Sequence, residues 1–537
     1  MEIIQFFRQE TNIPIHRVIT VGIIAGFANS MLLAIINIAA EQVANSVFEV
    51  QLFVLYVIAF GIFAYTQRYL MIRTTTLIEE IVRKIRVRLT DKIRHCELRF
   101  IEESGQSDFY AQITQQTSLI SQISLQMSLA IQSLFVVLIS LCYLLFISPL
   151  SLLMAIILLG ISIPIHVLNN YKAKEKHSIV AKQQTLLFES VGNILNGFKE
   201  LKFNYKKSNA VFEHLQKVAC LAESAKIEAT YVEVTLMTFV RLSFYILIAL
   251  LIFVIPAFFE SYSGEVFKVV ATSLFIMGPL TVTVFYIPTL NLANITIKNI
   301  YALEDKIESH LDSQERDFAP FTTFNSLQLT DVSFSYKNVD GSESFFIQNI
   351  NLSLQQGEIL FIVGGNGSGK STLLKVLTGL YYPSEGTIQL DQQLIERTHY
   401  YNYRELFSTI FTDFHLFNHL YGLDNIDEKR VHALLAELEL NDKPRFINGQ
   451  FTNLNLSTGQ RKRLALLITL LEDKPILILD EFAADQDPNF RQYFYETLLQ
   501  TLKTNGKTVI AVTHDDKYFH LADRVVKMDY GKLVAYP

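Results

Sequence analysis

The chain has no tryptophan, only three cysteines and few charges: Asp, Glu, Lys and Arg make up 18% of its 537 residues, against about a quarter in soluble chains. Each shortage excludes something. Cys96, Cys142 and Cys220 stand far apart, with no CxxC and no Cys/His cluster, so neither a disulfide framework nor a structural zinc site is supported. Low charge beside a hydrophobic share of 50% rules out disorder, a coiled coil and a purely soluble protein. Without tryptophan, an aromatic belt at a membrane surface falls to the 24 tyrosines and to phenylalanine. A strong basic excess is missing too. Residues 1–310 carry 25 Lys and Arg against 23 Asp and Glu, and residues 311–537 carry 21 against 29, which argues against a nucleic-acid partner.

What is present divides near residue 295. Before it lie six apolar stretches, over 18–40, 50–72, 127–147, 149–168, 236–258 and 266–294, each close to the roughly 20 residues that cross a bilayer. The first exceeds the core of a signal peptide and reads as a retained anchor. The third and fourth form one run broken only at Ser148 and Pro149, so they demand two passes joined by a tight outer turn. Residues 41–49 and 259–265 hold no Lys or Arg, whereas 73–126 hold eight and 169–235 hold ten. Cytoplasmic flanks collect these cations. Both long loops, the N-terminus and everything after residue 295 are therefore expected inside.

The long loops read as helical continuations of the spans. Gly105, Gly192 and Gly197 mark turning points, and short transverse helices are expected near 104–112 and 190–203. Asn29, Asn37, Arg241, Asn291 and Asn294 lie in or at the ends of spans and are expected to bond between helices. Pro164, Pro279 and Pro288 are candidate kinks. With so few residues ahead of the first span, no leader-cleaving peptidase domain is expected. The resulting division is a transmembrane domain over 1–297, a charged linker over 298–324 and an α/β domain over 325–537, where short β-type runs such as LQLTDVSFSY and EILFIVG replace the long apolar ones.

The second half carries phosphate chemistry. Gly364-Gly365-Asn366-Gly367-Ser368-Gly369-Lys370-Ser371-Thr372 follows the apolar run ILFIV and precedes the helical LLKVLTGL. That strand–loop–helix context is what a phosphate loop requires. Glycines let backbone N–H groups turn toward phosphate oxygens, and the helix N-terminus adds a favourable dipole. Lys370 is expected to reach the β- and γ-phosphates of ATP and Ser371 to ligate Mg2+. About 110 residues on, Pro475-Ile476-Leu477-Ile478-Leu479-Asp480-Glu481 reads as a buried parallel strand delivering two carboxylates. Asp480 is the candidate for the metal and Glu481 for polarising the attacking water.

Between them, Leu456-Ser457-Thr458-Gly459-Gln460 opens a basic, apolar helix. It resembles the signature motif of the ATP-binding-cassette family, and with the phosphate loop and LILDE it identifies the chain as a member. The resemblance implies a multi-pass α-helical transmembrane domain of exporter type, six spans long, followed by an α/β P-loop cassette domain. It implies that Ser457, Thr458, Gly459 and Gln460 complete the ATP site of a second copy. A single phosphate loop and a single signature per chain then require two chains, read as a homodimer.

Other positions follow the family. Tyr336 matches the aromatic that stacks on adenine, His514 the switch histidine near the γ-phosphate, and Asp487 the acid closing the loop after Glu481. Thr412 stands where the family has a glutamine that touches magnesium. Its side chain is shorter and has no amide, so Asp413 is the candidate to share the coupling role. FTDFHLF and LSTGQRKRLALL resemble the cyclic-peptide exporter branch. The expectation is an ATP-hydrolysing exporter in the bacterial inner membrane, both termini and the ATPase domain cytoplasmic, moving an amphipathic cyclic peptide, lipopeptide or siderophore precursor. An importer of metal–siderophore complexes and a broad drug or lipid exporter are the alternatives. An ATP-gated channel or sensor is disfavoured by the intact Lys370, Asp480, Glu481 and His514.

Overall fold

The computed structural model describes residues 6, 10, 15–44, 49–105, 109–110, 112–258, 265–312, 319–337, 343–423, 426–440 and 444–536, and of 15, 44, 124, 158–159, 161–174, 177, 181, 236, 287–288, 290–291, 337 and 343–344 only the backbone. The chain forms two compact units. One comprises 1–92 and 106–308, the other 93–105 and 309–537.

Long helices build the first unit because its sequence supplies apolar runs of bilayer length that continue without a break into helix-forming segments. They are α1 (Ile15–Ala44), α2 (Val50–Ile93), α4 (Thr117–Ile147), α5 (Pro149–Asn196), α6 (Phe198–Phe203), α7 (Tyr205–Ala249) and α8 (Val266–Glu308), while α3 (Leu98–Ser104) belongs to the second unit. At 1.5 Å per residue α2 is about 66 Å long, roughly twice the hydrocarbon thickness of a bilayer. Ser148 makes the expected break: its extended backbone ends α4, and its hydroxyl accepts from Ser151 N–H while Pro149 opens α5. Helix α5 packs along α7, and α4 against α8 and α1.

Among the described residues five stretches are long and apolar enough to cross a membrane: His16–Val43, Val50–Ile93, Gln112–Ile147, Tyr205–Phe258 and Val266–Tyr286. The expected span at 149–168 is helical within α5 but falls partly on residues without described side chains. Large apolar groups such as Phe53, Phe60, Phe146, Phe253 and Phe258 stand outward on these helices, as lipid-facing positions do. Of the polar residues singled out, Asn37 donates to Thr272 at 3.3 Å, joining α1 to α8. Arg241 is exposed, Asn294 keeps a buried oxygen without a hydrogen-bond partner, and the side chain of Asn291 lies outside the described residues. The helices run on through Pro164, Pro279 and Pro288; the interruption at the end of α7 is instead a π-turn at Leu250–Val254. Beyond the spans Arg88 clamps two carboxylates, pairing with Glu10 at 2.8 Å and Glu304 at 2.7 Å.

The short helices sit differently from the expectation. The first is α3, ending at Gly105 rather than beginning there, because Glu97 already leaves helical geometry and starts a new turn. Residues 106–108 and 111, within the expected stretch 104–112, lie outside the described residues. Helix α5 continues past Gly192 and turns at Gly197, leaving α6 as the second short element.

The second unit is two sheets and their helices. Strands β1 (Ser326–Lys337), β2 (Glu343–Gln355), β4 (Glu385–Leu390) and β5 (Gln393–Leu394) form an antiparallel sheet in the order β2-β1-β4-β5. Strands β3 (Ile359–Val363), β6 (Phe407–Ile410), β9 (Ile476–Asp480), β10 (Thr508–Val512), β11 (Arg524–Asp529) and β12 (Lys532–Ala535) form the other, in the order β12-β11-β3-β10-β9-β6. Only β12 in that sheet is antiparallel to its neighbour. A small ribbon pairs β7 (Phe446–Ile447) with β8 (Gln450–Phe451). β3, β9 and β10 are buried at every position, which is why they read as unbroken apolar runs. Helix α8 runs to Glu308, into the stretch read as linker, and Phe324 already belongs to the core of this unit.

Helix α3 is held in the second unit by several bonds. Glu97 N–H bonds to His310 and Asp312 N–H to His95, the Phe100 and His310 rings stack at 4.3 Å, and Leu98 packs on the core. Glu102 pairs with Lys375 at 2.7 Å and accepts from the Tyr381 hydroxyl.

Candidate nucleotide site

The phosphate loop leaves β3 at Val363 and enters α9 (Lys370–Leu377). Gly364 has φ 148°, and a β-carbon there would lie 2.3 Å from the Met528 carbonyl oxygen, so no other residue fits. Lys370 closes the loop on itself, its ammonium donating to the Gly364 carbonyl at 2.9 Å and the Gly365 carbonyl at 3.1 Å. Ser368 N–H also bonds to Gly365. A cavity of about 290 Å³ opens here, lined by Asn366, Gly367 and Gly369–Thr372 with Phe345 and Glu481.

Parallel β9 delivers the acids. Asp480, 1% exposed, accepts from the Ser371 hydroxyl at 2.9 Å through one oxygen, while the other is buried without a partner. Burial pushes Asp480 above the usual carboxylate range; the Ser371 hydrogen bond opposes this and the Glu481 charge adds to it. An orphaned carboxylate oxygen beside a serine hydroxyl fits a small, hard divalent cation. Glu481 follows with φ 52°, left-handed for a residue with a side chain. Its N–H bonds to Val512, and its carboxylate stands 3.5 Å from the His514 imidazole at the end of β10.

The signature residues lie elsewhere. Helix α10 (Thr458–Glu472) begins with a capping box: Ser457 accepts from Gln460 N–H at 3.3 Å, and the Gln460 side chain accepts from Ser457 N–H at 3.1 Å. Ser457 and Thr458 are exposed at that N-terminus and do not line the cavity of their own chain. Asp487 caps the helix Pro488–Tyr493 and pairs with Arg463. Its carboxyl is held below the usual range chiefly by the Phe490 N–H; burial opposes this, and Arg463 and the Asn489 N–H add to the lowering.

Two expected members stand apart from the cavity. The Tyr336 hydroxyl lies 3.3 Å from that of Tyr381 and 3.4 Å from that of Thr372, and it is Phe345, its cross-strand partner, that lines the wall. Thr412 is exposed in the turn after β6 and does not reach the cavity, nor does Asp413.

Sequence reasoning missed Phe345 and the basic pair Lys462 and Arg463. Arg463 sits 3.8 Å from the Phe490 ring centre and bonds Gln486 and Glu439. A signal for the pair existed: Lys462, Leu466 and Thr469 share the buried face of α10 at helical spacing. A cation on such a face must be paired.

The comparisons with known proteins agree with this geometry. The family described as ABC transporter matches residues 347–484. "ATP-binding protein SyrD" of Pseudomonas syringae pv. syringae is 33% identical over 471 residues, covering 85% of this chain and 82% of that protein. "Macrolide export ATP-binding/permease protein MacB" of Burkholderia lata is 32% identical over 206 residues, 35% of this chain and 29% of that one. A solved structure titled as a bacterial Atm1-family ABC exporter with ATP bound superposes with a TM-score of 0.77 at 18% identity, over 98% of this chain and 95% of that one. The chain belongs to the ABC transporter family. It has the exporter-type fold and is a membrane protein whose ATP-binding cassette is an ATPase coupled to transport.

Proposed function

We propose that the protein is a homodimeric exporter of the bacterial inner membrane that drives an amphipathic compound, a cyclic peptide, lipopeptide or siderophore precursor, out of the cytoplasm at the expense of ATP. Both termini and the cassette face the cytoplasm, and six spans per chain cross the bilayer. The observation that carries the reading is the convergence of Lys370, Ser371, Asp480, Glu481 and His514 on one loop and two adjacent parallel strand ends.

Each residue has a chemical task in this scheme. Lys370 and the loop N–H groups hold the phosphates, with Gly364, Gly365, Asn366, Gly367, Ser368, Gly369 and Thr372 shaping the cradle. Ser371 and Asp480 would hold Mg2+, which supplies charge neutralisation between the β- and γ-phosphates. Glu481 orients and polarises the attacking water, and His514, beside its carboxylate, faces the γ-phosphate. Tyr336 stacks on adenine after turning from its hydrogen bonds with Tyr381 and Thr372. Ser457, Thr458, Gly459 and Gln460 offer a helix N-terminus to the γ-phosphate of the partner's site, and Asp487 ties the loop after the catalytic strand to the signature helix through Arg463. Thr412 is assigned no metal contact.

The cargo branch rests on the resemblance of FTDFHLF and LSTGQRKRLALL to cyclic-peptide exporters and on the likeness to SyrD. The test is Glu481→Gln in the reconstituted protein. ATP binding should persist and turnover fall by about 100-fold, the size of a typical general-base contribution; unchanged ATPase activity would overturn the assignment.

A further inference from the structure

Lys462 is a buried cation with two partners. Its side chain is 6% exposed on the inner face of α10, four residues past the start of the signature helix. The ammonium donates to the main-chain carbonyl of Glu481 at 2.6 Å and pairs with the Asp485 carboxylate at 2.7 Å. Glu481 precedes, and Asp485 ends, the 3-10 turn Phe482–Asp485 that follows β9. Glu481 itself sits at φ 52°, ψ 37°, a conformation that persists in a residue with a side chain only where its surroundings over-determine it. Its N–H is held by Val512 O, and Lys462 holds its carbonyl. The turn is gripped a second time: a β-carbon on Gly459 would lie 2.7 Å from the Asp485 carbonyl oxygen, and Gln486 donates to the Gly459 carbonyl at 3.2 Å.

We propose that Lys462 is a positioning residue for ATP hydrolysis: anchored by Asp485, it fixes the peptide carbonyl of Glu481 and so keeps that carboxylate at the cavity rim, in register with the signature helix of the same chain. The proposal rests on the reading of Glu481 as the residue that polarises water. Its consequence is that the signature helix, which serves the partner's site, also carries the catalytic acid of its own site, so that a shift of one is felt by the other. A cation desolvated to this extent would be costly if it served packing alone, and an apolar side chain of the same length would fill the space.

The test uses the full-length protein in lipid nanodiscs, with Lys462→Met, Lys462→Arg, Asp485→Asn and Glu481→Gln side by side. Lys462→Met should lower kcat at least about tenfold while KM for ATP and the affinity for a fluorescent ATP analogue stay within about twofold, the split expected of an interaction used in the transition state only. Lys462→Arg should recover a large part of kcat, and Asp485→Asn should fall between. The double variant Lys462→Met with Asp485→Asn should be no worse than Lys462→Met alone, because the two act as one unit. Wild-type turnover in Lys462→Met, or equal losses in Lys462→Met and Lys462→Arg, would overturn the proposal. So would a loss of nucleotide affinity that tracks the loss of kcat, since that marks a general packing role. Should Lys462→Met fail to fold, Lys462→Arg and Asp485→Asn still decide: normal kcat in Asp485→Asn refutes the anchor. Full turnover in Glu481→Gln would instead refute the reading of Glu481 on which the proposal stands.

Discussion

A single glycine shows how tightly the cassette is drawn together. Gly459 touches the Asp485 carbonyl oxygen so closely that a methyl group could enter only by pushing the loop 482–487 aside. Gly459→Ala should therefore damage hydrolysis through Glu481 as well as through the signature. We expect ATPase activity to drop at least about tenfold with the thermal midpoint lowered by a few degrees, as overpacking against backbone does; a phosphate-release assay beside a melting curve checks both. At this scale the sequence was legible where chemistry imposes spacing. The phosphate loop, Asp480, Glu481 and His514 were readable because each is fixed by the strand or helix before it. Phe345 was not, because which of two cross-strand aromatics faces a cavity depends on a register that no local pattern declares. Lys462 and Asp485 escaped for a related reason: their pairing spans two elements.

Elements convert these local bonds into leverage. Helix α3 is only seven residues long, yet Glu102 ties it to Lys375 on the helix that follows the phosphate loop and to Tyr381 beyond it. Tyr381 in turn neighbours Tyr336, the proposed adenine contact. Glu102→Ala removes the ion pair and leaves a buried tyrosine hydroxyl to find another partner, a loss of about 1–3 kcal/mol at this contact. The expected outcome is ATPase at saturating ATP within about twofold of wild type, no phosphate contact being removed, with the thermal midpoint lowered by several degrees; a phosphate-release assay beside a melting curve checks both. That short helices interrupt the long ones was legible from glycines in charged helical loops, but the position of the first was not. Its start is set at Glu97 by main-chain bonds to His310, more than two hundred residues away, and glycine placement marks only its end.

At the scale of the whole molecule, the proposed function needs a second copy. Ser457 and Thr458 are exposed and the signature residues stand off from the cavity of their own chain, so under the proposed scheme each site would be completed by the other protomer. Mixing a Lys370→Ala chain with a Ser457→Arg chain tests this. Random pairing makes half the dimers mixed, each with one intact site of two, so about a quarter of wild-type ATPase should reappear from two inactive proteins; no recovery on co-expression would count against the shared site. That membrane-crossing helices fill the first half was legible from apolar length, and five such stretches stand among the described residues. The inward or outward bearing of individual polar groups was not: Asn37 finds Thr272 whereas Arg241 is exposed.

The second unit is not written in one piece: it borrows residues 93–105 from far upstream. During synthesis Glu102 leaves the ribosome some 270 residues before Lys375 and Tyr381, a delay of roughly 15–55 s at ordinary elongation rates. Through that interval α3 has no seat, and Leu98 and Phe100 face water or whatever chaperone shields them. The cassette therefore completes its surface only after membrane insertion is well advanced, so maturation in the cell follows an order that expression of the isolated cassette cannot reproduce.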